Sequence, residues 1–278
     1  MAMSESQTEV GEIHATLARA GEQGHVAIVT MTRPDVLNAY DEVMLQQLEH
    51  IWDTIRDDDD IWVAVITGEG RAFCVGHDIR WMKSLDVRAE AAQPQYHGGS
   101  RTRYLHGYGA YGVDIGKPLI AAIEGYCVGG GFAMALACDI RVAGESAIFA
   151  VSQPKRGVIS PYACAMLPRL IGHSQATKIL LTAEDVSAKR AYEIGLVHEV
   201  VADGQALEAS LRMADGLCGL APLALRGVKE ALQHAMVAPP ETALKVGHRI
   251  FGWLRGSDDS AEGALAFTEK RNPQWRGR

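Results

Sequence analysis

KPLIAAIEGYCVGGGFAMALACDIR, residues Lys117 to Arg141, is the stretch from which the fold of this chain is predicted. It predicts a buried strand over Leu119–Ile123, a turn at three consecutive glycines (129–131) and a short apolar helix. Glycines at such a turn leave the backbone N–H groups open to a bound group, and the positive end of the helix dipole lies at the same place. The turn therefore suits an oxyanion if a second donor comes from elsewhere, and glycines that only allow close packing are the alternative.

A second strand–turn–helix pattern precedes this stretch. Residues 61–68, IWVAVITG, are largely apolar and β-branched, which indicates a strand buried on both faces. The following GEGRAFCVGHDIRWM (68–82) makes a turn at residues 75–78 and enters a helix. Strands that lie parallel in one stack end at the same edge, so both turns are expected to face one cleft.

Composition excludes several classes of function. The net charge of −7 over 278 residues argues against nucleic acid as a partner. Five cysteines without a CxxC pair favour reduced thiols and a cytoplasmic location, and no metal site is indicated. The apolar stretch 119–137 is interrupted by Glu124 and four glycines, so no membrane partner is expected. Rossmann, Walker and HExxH motifs are all missing from the sequence.

The rest of the chain divides into four parts. Residues 1–11 are predicted to be a flexible leader, and residues 12–202 a core of repeated strand–strand–helix units. Within that core, residues 84–116 are irregular and rich in Tyr, Gly, Arg and His, which indicates a lid over the cleft or a floppy surface insertion. Residues 203–278 are predicted to be helical, and VHEVV (197–201) is the one strand expected late in the chain.

From about Gly24 to its end, the chain resembles the enoyl-CoA hydratase/isomerase (crotonase) superfamily. The matching blocks, in order, are RPDVLNAY (33–40), AFCVGHDI (72–79), KPLIAAIEGYCVGGGFAMALACDIRVA (117–143), LPRLIG (167–172), SAKRAYEIGLVHEVV (187–201) and EGALAFTEKRNPQWRGR (262–278). The resemblance implies an α/β fold, a spiral of ββα units with a C-terminal helical region for oligomerisation. It also implies a homotrimer or a dimer of trimers.

The resemblance further implies the substrate and the residues that bind it. In the family, two backbone N–H groups hold the thioester oxygen of an acyl-CoA, and the matching positions here are His77 and Gly130. Coenzyme A is then part of the substrate, and no tightly bound cofactor is implied. The His77 imidazole is unusual at a position where the family commonly has a small residue. The implied contacts to CoA are Arg33, Leu37, His77, Asp78, Ile79, Arg80, Gly130, Phe267 and Lys270.

The chain departs from the family at the positions of two catalytic glutamates. Hydratases of the family use both to add water, and the matching residues here are Ala133 and Gln153. Alanine cannot transfer a proton, and a glutamine amide is not a general base. Hydration is therefore not expected, whereas decarboxylation, C–C cleavage or thioester hydrolysis needs fewer carboxylates. A catalytically silent acyl-CoA-binding subunit is the alternative, as is an ordinary enoyl-CoA hydratase in name only.

Several other side chains are candidates for the acid or base. Those near the two turns and the following loop are His77, Asp78, Gln153, Ser160 and Tyr162. The predicted lid offers His97, Tyr104, His106 and Tyr108, which act only if the lid closes. Asp78 and Glu124 are expected to be structural partners.

Overall fold

The computed structural model describes residues 12–21, 24–84, 111 and 115–278. The strands within these ranges are β1 (Ala15–Ala20), β2 (Val26–Met31), β3 (Val63–Gly68), β4 (Ala72–Cys74), β5 (Leu119–Ile123), β6 (Tyr126–Val128), β7 (Ile140–Gly144), β8 (Ile148–Ala150), β9 (Val186–Ser187) and β10 (Glu199–Val201). The helices are α1 (Glu42–Asp57), α2 (Ile79–Ser84), α3 (Gly130–Ala137), α4 (Pro161–Ile171), α5 (His173–Thr182), α6 (Ala188–Glu193), α7 (Ala206–Cys218), α8 (Pro222–Val237), α9 (Pro240–Leu254) and α10 (Asp258–Glu269).

The strands form two sheets. The larger has the order β1-β2-β3-β5-β7-β10, with β1 and β2 antiparallel and the other neighbours parallel. Helix α1 covers one face of this sheet and α7 the other, which is why β3 and β5 are continuous apolar runs. The smaller sheet has the order β4-β6-β8-β9, and its first three strands are parallel. This smaller sheet carries the two glycine turns.

The structure confirms the main predicted elements. Strand β5 lies where the opening stretch predicted it, the hairpin β1–β2 is antiparallel, and α1 occupies the predicted helix. Two expectations were wrong, because β4 and not β3 leads into the turn at 75–78, and β6 and not β5 leads into the glycine triplet. Gly125 explains the second difference, since its φ of +56° turns the chain from the larger sheet to the smaller one. Only β10 was expected as a strand late in the chain, so β9 was not predicted. Helix α10 was not among the predicted helices either.

The predicted leader (1–11) and most of the predicted lid (85–110 and 112–114) lie outside the described residues. Tyr111 and Ile115, from the end of the predicted lid, are buried and pack into the main core. Among the residues that the structure describes, no helix has both the length and the apolar character needed to cross a membrane.

Candidate active site

The two glycine turns meet at the ends of neighbouring strands. Strands β4 and β6 are parallel, with Cys74 opposite Cys127. Gly76 has a φ of +90°, and a Cβ atom added to it would lie 2.6 Å from the backbone nitrogen of Gly130. The turn before α2 and the turn before α3 are therefore in van der Waals contact, as the prediction of a shared cleft requires.

Backbone pairing sets the direction of the His77 amide. Tyr40 donates its N–H to the Gly76 carbonyl at 2.9 Å and accepts the N–H of Asp78 at 2.8 Å. In such a parallel bridge, Tyr40 bonds to the two neighbours of His77, and His77 directs its own N–H to the side away from Tyr40. Gly130 opens α3, where the first N–H groups of a helix have no partner within the helix.

The three glycines of the second turn are also required by close packing. A Cβ atom on Gly130 would lie 1.9 Å from the Tyr40 hydroxyl oxygen, and one on Gly131 would lie 2.1 Å from the Cys74 carbonyl oxygen. Gly129 has a φ of +62°, which disfavours any side chain. Close packing, one of the two explanations of this triplet, is therefore confirmed, and the use of its backbone N–H groups as donors stays a prediction.

A cluster of hydroxyl groups and an imidazole lies behind the two turns. The Tyr40 hydroxyl is 3.1 Å from Nδ1 of His77 and 3.2 Å from the hydroxyl of Tyr111. The Tyr162 ring meets the Tyr111 ring edge to face, with 5.7 Å between centroids. Burial, and then the neighbouring Tyr111, raises the pKa of Tyr40 well above its usual value near 10. Tyr40 therefore stays neutral at physiological pH and keeps its proton.

The positions of the two missing glutamates are free of carboxylates in the structure. Gln153 opens a 3-10 turn, and its Nε2 would lie 3.7 Å from a Cβ atom added to Gly129. Its Oε1 is buried and has no hydrogen-bond partner among the described residues. Ala133 lies in the first turn of α3 and is 2% exposed. The Gln153 amide thus lies beside the glycine turn, and one of its polar atoms is an unused acceptor.

Arg33 and Asp78 brace the first turn. Nη2 of Arg33 lies 3.1 Å from Oδ2 of Asp41 and 3.1 Å from Oδ2 of Asp78. Burial alone would raise the pKa of Asp78, but the Arg80 N–H and the Arg33 guanidinium outweigh it and lower that pKa. Asp78 is therefore ionised at neutral pH and unsuited to act as an acid. These ion pairs of Arg33 with Asp41 and Asp78, called the Arg33 bracket below, give Arg33 and Asp78 a structural function. The contact of Arg33 and Asp78 with CoA stays a prediction.

The remaining predicted contacts to CoA lie around this bracket or far along the chain. Leu37 has a φ of +55°, and its carbonyl accepts the Val75 N–H at 3.2 Å, beside the first turn. Ile79 and Arg80 are exposed at the start of α2. Phe267 is 87% exposed on α10, and Lys270 is exposed at the end of the same helix. An exposed side chain on α10 is available to another molecule, and these roles remain predictions.

Two of the other candidates have structural roles. The Ser160 hydroxyl accepts the Ala163 N–H and caps α4, and Glu124 accepts the Ala206 N–H at 3.0 Å and caps α7. The expectation for Glu124 is met. The lid candidates His97, Tyr104, His106 and Tyr108 lie outside the described residues. Sequence reasoning missed Tyr40 and Tyr111, although Tyr40 ends the block RPDVLNAY.

We expect Arg33→Gln to lower the free energy of unfolding by about 2–3 kcal/mol, because it leaves two largely buried carboxylates without their cation. The lowered pKa of Asp78 contributes stability above its unfolded value of 3.8, and this contribution is lost on acidification. The difference between wild type and variant should therefore narrow below that pH in urea unfolding. Arg190→Gln, which breaks an exposed pair with Glu193, is the control and should cost under about 1 kcal/mol. Equal losses of unfolding free energy in Arg33→Gln and Arg190→Gln would contradict a stabilising role of the Arg33 bracket.

Comparison with known proteins supplies the context for this geometry. The family model for enoyl-CoA hydratase/isomerase matches residues 21–278. The (E)-benzylidenesuccinyl-CoA hydratase of Thauera aromatica is 36% identical over 255 residues, which cover 91% of this chain and 96% of the relative. The 2,3-dehydroadipyl-CoA hydratase of Escherichia coli (strain K12) is 33% identical over 257 residues, with coverage of 92% and 97%.

Solved structures agree along the whole length. An enoyl-CoA hydratase from Bacillus anthracis has a TM-score of 0.87 at 27% identity, covering 96% of this chain and 100% of that one. DspI from Pseudomonas aeruginosa has a TM-score of 0.86 at 32% identity, covering 98% and 100%. These likenesses confirm the predicted crotonase-like α/β fold.

Proposed function

Because this chain belongs to the enoyl-CoA hydratase/isomerase family, we propose that it binds an acyl-CoA thioester and stabilises its enolate through the backbone amides of His77 and Gly130. The contact between the two glycine turns is the observation that carries this proposal. Gly76 precedes the first proposed donor, His77. A Cβ atom added to Gly76 would lie 2.6 Å from the backbone nitrogen of Gly130, the second proposed donor. This approach of two turns that a predicted lid separates in sequence supports a pair of donors at one place.

The chemistry follows from where negative charge develops. When a bond to the α carbon breaks and its electron pair stays on the acyl group, the charge moves to the thioester oxygen. Backbone donors fixed in advance stabilise that charge, and losing one costs about 10²–10³-fold in rate. The N-terminus of α3 adds a favourable dipole at Gly130. This stabilisation needs no titratable side chain.

The residues at positions 133 and 153 narrow the reaction. Water addition needs a base for the water and an acid for the α carbon, and neither Ala133 nor Gln153 supplies one. In decarboxylation, the bond between the α carbon and its carboxylate breaks, CO₂ leaves, and the enolate takes a proton from water or a nearby side chain. Decarboxylation therefore needs chiefly the oxyanion hole. Hydrolytic C–C cleavage of a β-keto acyl-CoA also releases an enolate, after water has attacked the β-carbonyl carbon. Thioester hydrolysis forms no enolate, but its tetrahedral intermediate places the negative charge on the same thioester oxygen before the CoA thiolate leaves.

A second candidate is a catalytically silent acyl-CoA-binding subunit. The absence of both glutamates favours this candidate, since a protein that no longer catalyses the reaction does not need its acid and base. The polar groups that converge on the turns, namely Tyr40, His77, Tyr111 and Gln153, support an enzyme instead. The names of the relatives describe hydratases, and ordinary hydration is therefore a third outcome that the assay must resolve.

We also propose a cytoplasmic homotrimer or dimer of trimers, with CoA brought in as part of the substrate. The C-terminal helices carry large exposed apolar side chains, which isolated monomers rarely present in such number. They include Val228, Leu232, Val237, Leu244, Phe251, Trp253, Leu265 and Phe267. Sedimentation equilibrium tests the assembly, and a monomer at micromolar concentration would contradict it.

A substrate panel tests the proposed activity. The purified protein is mixed separately with crotonyl-CoA, malonyl-type acyl-CoAs and β-keto acyl-CoAs, and the products are followed by mass. We expect loss of CO₂, cleavage or release of free CoA from at least one compound. Binding of acyl-CoA without turnover of any compound would favour the silent subunit, and neither binding nor turnover would overturn the proposal.

A further inference from the structure

We infer that Tyr40 is a positioning residue that holds both backbone donors of the oxyanion hole in place. This role rests on the proposed function. Tyr40 lies in the segment between β2 and α1, far in sequence from either turn. It nevertheless contacts both of them, one through its backbone and the other through its ring.

The backbone of Tyr40 holds the first turn on both sides of His77. Its N–H donates to Gly76 at 2.9 Å, and its carbonyl accepts from Asp78 at 2.8 Å. These two bonds fix the peptide planes on each side of His77, so the direction of the His77 N–H depends on them. The backbone of Tyr40 is itself anchored at one end of α1, where Asp41 is the N-cap and accepts the Met44 N–H at 3.0 Å.

The ring of Tyr40 supports the second turn. A Cβ atom on Gly130 would lie 1.9 Å from Oη, 2.7 Å from Cζ and 3.0 Å from Cε1 of Tyr40. The phenol edge is therefore pressed against the Cα atom of Gly130, whose nitrogen is the second proposed donor. Because Tyr40 is fully buried, its ring has no space in which to move away.

The Tyr40 hydroxyl group lies against the second turn and also reaches the side chain of His77 in the first turn. It lies within hydrogen-bond distance of Nδ1 of His77 and of the Tyr111 hydroxyl, at 3.1 Å and 3.2 Å. A neutral phenol has one proton, so it donates to one of these partners and accepts from the other. Both bonds restrain the position of the hydroxyl end of the ring. The separation of the two donors is thus set by one aromatic residue.

The test measures the donors directly, with an unreactive saturated acyl-CoA that carries a ¹³C-labelled thioester carbonyl. In the wild type, the infrared stretch of the bound carbonyl should shift to lower frequency than in free acyl-CoA, because two donors polarise it. An acyl-CoA that binds without this shift would overturn the proposed function itself. A clear wild-type shift is the starting point for testing Tyr40.

Tyr40→Phe keeps the ring and the backbone bonds and removes only the hydroxyl. We expect it to reduce the carbonyl shift and to lower kcat about tenfold, with KM changed less than about twofold. Tyr111→Phe is the matched comparison, since it removes the other hydroxyl of the pair and leaves the bond between Tyr40 and His77. It should keep most of the wild-type shift.

Other outcomes would overturn the inference. If Tyr40→Phe lowers the melting temperature but keeps the full carbonyl shift and kcat, Tyr40 is only a core residue. Equal loss of the shift in Tyr40→Phe and Tyr111→Phe would also contradict a specific role. If Tyr40→Phe does not fold, His77→Ala breaks the same side-chain bond from its other end and keeps the backbone donor. A full shift in that variant would overturn the inference.

Discussion

Gly76→Ala should lower the turnover of the acyl-CoA substrate by about 100- to 1000-fold, the range expected when one donor of an oxyanion hole is lost. Gly76 has a φ of +90°, and the new Cβ atom would lie 2.6 Å from the backbone nitrogen of Gly130. Backbone atoms cannot move aside cheaply, so the two turns must separate. The measurement is kcat with the best substrate of the panel.

Gly195→Ala is the matched control. Gly195 also has a positive φ, +76°, but no atom lies within 4 Å of its added Cβ. Both variants incur the backbone strain of about 1–2 kcal/mol, and only Gly76→Ala disturbs the site. Activity should therefore survive in Gly195→Ala. Full activity in a folded Gly76→Ala variant would contradict the assignment of this turn.

The second large effect is a gain of activity. The double variant Ala133→Glu with Gln153→Glu should raise hydration of crotonyl-CoA by about 10²-fold or more over the wild type, because it restores an acid and a base at the family positions. Gln153 already lies beside the glycine turn, and Ala133 lies in the first turn of α3. Hydration is followed by loss of the absorbance of the conjugated thioester.

The single variant Ala133→Gln, which keeps the native Gln153, is the uncharged control: it matches the double variant in side-chain size and lacks both carboxylates. It should remain as inactive in hydration as the wild type. Equal activity of the charged and uncharged variants would mean that shape rather than proton transfer limits the reaction. A folded charged variant that binds acyl-CoA without any gain would contradict the placement of these two positions.

Local sequence patterns predicted the fold because its elements are strongly periodic. The apolar run at 119–123 and the helix over 41–56 were found at their places. Strand β6 was missed since only Tyr126–Val128 belong to it, and three residues carry too little periodicity. The sharp turn at Gly125, where an added Cβ would lie 2.1 Å from the Arg71 carbonyl, depends on a strand distant in sequence.

The site was predictable only in part. The two glycine turns were recognisable because each follows a buried strand and precedes a helix. Tyr40 was not, because its partners His77 and Tyr111 lie 37 and 71 residues away and only the tertiary fold brings them together. The bracket of Arg33, Asp41 and Asp78 was hidden for the same reason, since an ion pair leaves no local pattern in the sequence.

The central claim is that this chain keeps the oxyanion hole of its family but has lost the groups that add water. The most direct test is the rate at which the wild type hydrates crotonyl-CoA, beside a family member that carries both glutamates. We predict hydration at least about 100-fold slower than in that relative, together with turnover of a malonyl-type or β-keto acyl-CoA. Hydration of crotonyl-CoA at the rate of the relative would contradict the claim.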